Sequence, residues 1–166
     1  MALKRTSEVI TVSTDIQESA ANTFTEREVS LALNALDNEV FVVLAIDLNP
    51  ATPDLVAGST TTTRGSISVT SRTSIGNISE SNVLAEAQLA IVSDGVNSVG
   101  FTRVPTEAPL AQLDYIGIIS TSDFYLQIIG GNNTNAKSMN ARVWGYRAKA
   151  DSATYAALTS SQLLSA

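Results

Sequence analysis

Carboxylates are the groups best placed to do chemistry in this chain, because it holds neither histidine nor cysteine. That removes the usual neutral-pH general base, the thiol nucleophile and the commonest zinc ligands together. On a β-sandwich, a pair of carboxylates can cleave a glycosidic bond, one as acid and the other as base or nucleophile. Glu26 and Glu28 stand two apart and share a strand face, and Asp37 and Glu39 flank a turn. A solvated strand edge and a hairpin tip describe both pairs more simply. A catalytic sugar cleft also wants several flat rings, and aromatic residues make up only 5% of this sequence. The chain reads as a non-enzyme.

Ligand-binding patterns fare similarly. "SDGVNS" (93–98) and "LDNE" (36–39) offer oxygen ligands without the spacing of a calcium loop, and turn chemistry accounts for both. A calcium ion at a subunit edge is the lesser alternative. Gly130-Gly131 lacks the following helix and lysine that would cradle a phosphate. "NIS" (77–79) and "NNT" (132–134) fit the glycosylation acceptor pattern by chance alone. No cofactor is expected.

Contacts with other molecules are sought instead in two places. Arg142, Trp144 and Tyr146 share one strand parity, which suits a core or interface cluster with the guanidinium stacked at its rim. Gly145 is the competing signal, since a bulge there would rotate the two rings apart. Asn132, Asn133 and Asn135 crowd "GGNNTNAKSMN" (130–140), whose residues tolerate positive φ and satisfy their own backbone. It reads as a long hairpin loop at one end of a sandwich, with amides free to meet a neighbouring subunit.

The elements that must position these residues are strands. "EVSLALNA" (28–35) alternates Val29, Leu31 and Leu33 with smaller or polar residues, and "GSISVTSR" (65–72) alternates Ile67 and Val69 with Ser66, Ser68 and Thr70. Each predicts a strand apolar on one face and wet on the other. "EVFVVLAID" (39–47) is apolar on both parities and predicts a strand buried on both faces. "LDYIGIIS" (113–120), "DFYLQIIG" (123–130) and "ARVWGYRAK" (141–149) complete the set. "ESNVLAEAQLAIV" (80–92) suits helix or strand, and its β neighbours favour strand. Tyr155, Leu158 and Leu163 approach helical spacing near the C-terminus.

Turn signals separate these runs. Asp37-Asn38 leaves a hairpin-length gap, and Asp94-Gly95 marks another turn. The threonines of "STTTTRG" (59–65) suit an exposed strand or loop. Pro105 and Pro109 bracket a loop or edge crossing, since neither can donate to a central ladder. About eight strand candidates and no βαβ rhythm predict an all-β antiparallel sandwich, a single jelly roll, with one short C-terminal helix. Residues 1–20 are expected to form an extended arm and 21–166 the sandwich.

Composition narrows the partners. Net charge is −6, and no basic stripe or arm is present to neutralise phosphates, so direct nucleic-acid binding is not expected. Charged residues reach only 16%. A surface of hydroxyls and amides is cheaper to desolvate than an ionic one, which favours subunit contacts. "MALKRTSEVITVSTDI" lacks the apolar centre of a signal peptide, and the longest apolar run, "VFVVLAI" (40–46), is too short to span a bilayer. A protein made in soluble form, without a cleaved leader or a transmembrane segment, is expected.

In layout the chain resembles a viral coat protein of the single jelly-roll type. The likeness rests on the N-terminal arm followed by a β-sandwich that closes on "DFYLQIIGGNNTNAKSMNARVWGYRAK" (123–149). The resemblance implies a subunit that assembles with copies of itself and other particle proteins into a virion shell, through arm and loop contacts. The chain departs from coats with strongly basic arms, having only Lys4-Arg5 before Glu8, Asp15 and Glu18. Two other functions fit the residues: a carbohydrate- or surface-binding module with Trp144, Tyr146, Tyr125 and Tyr115 as a platform, and a filament or surface-layer subunit exchanging residues 1–20.

Overall fold

The computed structural model describes residues 3–103, 106–107 and 114–164. Among these, eleven strands form two antiparallel sheets, of six and five strands. In the first sheet β2 (Ile10–Gln17) pairs with β11 (Ser138–Lys149), which pairs with β4 (Glu39–Pro50), which pairs with β9 (Gly117–Ile119). In the second, β3 (Thr25–Ser30) pairs with β10 (Asp123–Gly131), then β5 (Thr60–Ser68), then β6 (Val83–Ser93). Along these eight strands the chain changes sheet at β2–β3, β3–β4, β4–β5, between β6 and β9, at β9–β10 and at β10–β11, and stays within one sheet only at β5–β6. Two four-stranded sheets joined in this order are a jelly roll. Three pieces extend it: β1 (Lys4–Arg5) beside β11, β7 (Ser98–Arg103) outside β6, and β8 (Thr106–Glu107) beside β4. Pro105 and Pro109 lie outside the described residues.

The core between the sheets follows from strand parity. Phe41, Ile46 and Leu48 of β4 and Met139 and Val143 of β11 face Ile67, Phe124, Leu126 and Ile128 of the second sheet. The other parity of β4 is buried too, as its unbroken apolar run predicts. Val40 and Val42 meet Ala148, Tyr146, Ile118 and Tyr115 in a second cluster on the outer face of the first sheet. Helix α1 (Ser152–Leu164) covers that cluster with Tyr155 and Leu158. Asp151 starts the helix by accepting from the Thr154 N–H at 2.8 Å. Gln162 fastens its far end, taking hydrogen bonds from the Ser120 N–H and Oγ and donating to the Ile118 carbonyl.

Several sequence expectations are corrected. The first strand of "EVSLALNA" stops at Ser30, because the Leu31 N–H turns to the Ser122 carbonyl and Ala32 takes positive φ. Leu31 and Leu33 still reach the core, so the alternation is right in burial and too long as a strand. Asp37-Asn38 closes no hairpin: a 3-10 turn there links strands of different sheets. The loop 132–137 is not a hairpin loop either, since β10 and β11 also belong to different sheets. The threonine run is a strand, as one of its two readings expects, but only one face of it is exposed. It opens β5, a strand paired on both sides, with Thr61 and Thr63 buried. Ser66 and Ser68, expected wet, are buried under Gln127 and the connection 69–82. The ambiguous run 80–92 holds strand β6.

Candidate functional site

The outer face of the first sheet is divided in two. One half lies under α1, and the other is an open cleft of about 510 Å³ lined by Ser13, Thr14 and Asp15 of β2, Asp47 and Asn49 of β4, and Asn140, Ala141 and Arg142 of β11. Trp144 stands between the halves. The register places Trp144 opposite Ala45 but Gly145 opposite Val43, so the extra residue, Leu44, bulges from β4. Strand β11 therefore keeps its alternation, and Arg142, Trp144 and Tyr146 stay on one face. Arg142 lies over the Trp144 ring, 5.8 Å from its centroid, and Arg5 lies over Tyr146 at 4.8 Å. Gly145 has a steric reason: a Cβ there would run into the Phe41 ring and the Val42 carbonyl.

The four aromatics of a platform do not meet. Tyr146 and Tyr115 are packed in the cluster beneath α1, and Tyr125 belongs to the other sheet. Burial, reinforced by Glu28, Asp123 and Glu26, raises the Tyr125 hydroxyl above its usual value. It remains a protonated phenol at neutral pH.

The asparagine-rich connection is locked into the chain's own fold. Asn132 takes positive φ and donates to the Thr60 carbonyl. Buried Asn133 donates to the Thr62 carbonyl through Nδ2 and accepts from the Asp54 N–H, while its backbone exchanges two hydrogen bonds with the Asn22 side chain. Asp54 is the organising carboxylate here. It accepts from the Thr134 N–H and Oγ1, from the Asn135 N–H and from Lys137 Nζ. Lys137, then Thr134 and Asn135, hold its carboxyl far below the ordinary range. Buried Glu18 does parallel work on the other side, accepting from the N–H groups of Thr23, Gly130 and Lys137. Asn132 and Asn135 remain exposed at this end of the sandwich.

The carboxylate pairs weighed as catalysts are taken up separately. Glu26 accepts from Ser71 Oγ, the Arg72 N–H and Gln127 Nε2. Asp37 pairs with Lys149 and Glu39 with Arg147. Asp94 of "SDGVNS" accepts from the N–H groups of Asn97 and Val96, which lower its carboxyl. No group of three or more carboxylates that would hold a metal ion occurs among the described residues. No helix there is long and apolar enough to cross a membrane.

One feature escaped the sequence reading. On the outer face of the second sheet, the β6–β7 hairpin presents Val92, Val99 and Phe101 at 41%, 55% and 58% exposure, with Val96 at its tip 91% exposed. Cross-strand pairing aligns two neutral rows there: Thr60, Val92 and Val99, and Gly131, Thr62, Ala90 and Phe101. The signal was the alternation Val99-Gly100-Phe101, which is too short to stand out from its surroundings.

No protein family matches the chain, and no curated protein does. Among solved structures, that of Desmodium yellow mottle tymovirus shares 14% identity over 87% of this chain and 91% of the other, with a TM-score of 0.31. The empty head of turnip yellow mosaic virus shares 12% over 90% of this chain and 87% of the other, with a TM-score of 0.32. Superposition at that level carries no weight for either fold or function. The jelly-roll assignment stands on the hydrogen-bonded strand order.

Proposed function

We propose that the chain is a structural subunit that associates with copies of itself, as a coat protein of a virion shell. The observation that carries this reading is the exposed apolar hairpin of β6 and β7. A strand at the rim of a sheet with bare valine and phenylalanine side chains is an association hazard unless something covers it. A second copy is the occupant the charge pattern favours. Subunits of net charge −6 repel one another, and the rows through Val99 and Phe101 offer contact without charge. A patch meeting its own copy across a twofold axis is self-complementary by symmetry, which suits repeated weak contacts in a shell.

Residues 10–17 of the expected arm form β2 inside the sandwich. In this reading the segment before β2, with Val9 exposed in it, and the loop amides of Asn132 and Asn135 therefore add further contacts. Trp144, Tyr146 and Arg142 support the sheet from outside. The protein is not an enzyme, and nucleic acid is not its direct partner, since its acidic balance disfavours phosphates. Light scattering of the full chain across concentration, with negative-stain images alongside, tests the reading. Rings, capsomers or shells are expected. Open filaments would favour a surface-layer role, and a monomer at every concentration would contradict self-assembly.

A further inference from the structure

The polar clusters of this protein differ in one respect. Around Asp54, Glu18 and Glu26 nearly every donor and acceptor is satisfied within the chain. In the cleft on the first sheet they are open. The side chains of Ser13, Asp47, Asn49 and Asn140 line it and make no hydrogen bond among the described residues. Arg142 and Asp47 are direct cross-strand partners, yet the guanidinium leans over Trp144 instead of closing an ion pair. The Asp47 carboxylate is thereby left facing the cleft beside two free amides.

We propose that this cleft binds a neutral saccharide, held by Asp47, Asn49, Asn140 and Arg142 and edged by Trp144. Each sugar hydroxyl both donates and accepts, so neighbouring hydroxyls need an acceptor and a donor side by side. Asp47 supplies the acceptor, Arg142 the donor, and the two amides supply both. Trp144 follows Arg142 on the same face of β11, beneath its guanidinium, so the indole stands at the edge of the cleft rather than in its lining. Its neighbours on that face, Thr11 of β2 and Ala45 of β4, are small. Charge balance selects a neutral ligand. Asp15 is paired with Arg27 at 3.0 Å, which leaves one anion, Asp47, against one cation, Arg142. A volume of about 510 Å³ is in the range of small-molecule sites. This inference is independent of self-assembly, which uses the opposite sheet.

Trp144 is the sole tryptophan, so its fluorescence reports on the cleft without a label. The protein is titrated with the methyl glycosides of glucose, galactose, mannose and N-acetylglucosamine, and then with acetate and sulfate. A saturable change with at least one glycoside is expected, in the ~millimolar range of a few hydrogen bonds in an open site. Asp47→Ala and, separately, Asn140→Ala are expected to weaken it at least about tenfold with an unchanged melting temperature. Three outcomes overturn the proposal: no saturable response to any glycoside, affinity unchanged in both variants, or a response to acetate and sulfate alone. The last would make Arg142 a plain anion contact.

Discussion

Asp54 holds three segments together at one end of the sandwich, and its stabilising role depends on its charge. Lys137, Thr134 and Asn135 keep the folded carboxyl well below the ordinary aspartate value of about 3.9 that it regains on unfolding. Its contribution is therefore complete above that value and declines as the pH falls below about 4. Glu80, Asp94 and Asp151 are lowered as well, chiefly by backbone N–H groups of Asn77, Asn97 and Thr154, and add to the same loss. Urea unfolding between pH 7 and pH 2.5 should show stability falling below pH 4, with a shallower fall in Asp54→Asn. An equal slope in the variant would remove Asp54 from the account. Gly145→Ala makes a second prediction, because the added methyl collides with Phe41 and Val42. It should destabilise the fold by about 1–3 kcal/mol in chemical denaturation. The shared face of Arg142, Trp144 and Tyr146 was legible in the sequence, since parity survives wherever a bulge falls in the partner strand. The duties of Asp54 and Glu18 were not, because their partners lie some eighty to over a hundred residues away.

At the scale of elements, periodicity revealed which residues are buried better than which strands pair. The double-sided run of β4 announced a layer outside the sandwich, and α1 supplies it. Sequence distance misled at Asp37-Asn38 and at 132–137, where a short gap looks like a hairpin but the chain steps to the other sheet. Ser66 and Ser68 misled for a related reason. Alternation assumes that the polar face meets water, and here a folded-over connection satisfies it instead. Removing α1 by ending the chain at Ala150 should partly uncover Val40, Val42 and Tyr146, each valine losing a fraction of the roughly 1.5–3 kcal/mol that its full burial contributes. The shortened protein should bind a hydrophobic dye and melt at lower temperature. Unchanged melting would mean that the helix adds nothing to the second cluster.

At the scale of the whole molecule, two sheets carry two different outer surfaces. The first is half covered by its own helix and half open as a polar cleft, and the second ends in an apolar rim at β7. The jelly roll itself was legible from the number and spacing of strand candidates. The rim was not, because exposure is a property of the assembled sheets and not of Val92, Val99 or Phe101 alone. Self-association through that rim is the central claim. Sedimentation velocity of the full chain beside the double variant Val99→Lys, Phe101→Lys, over a wide concentration range, tests it most directly. The account predicts larger species for the unaltered chain at rising concentration, and a monomer with unchanged melting temperature for the variant. Identical sedimentation of the two proteins, whether both associate or neither does, would contradict it.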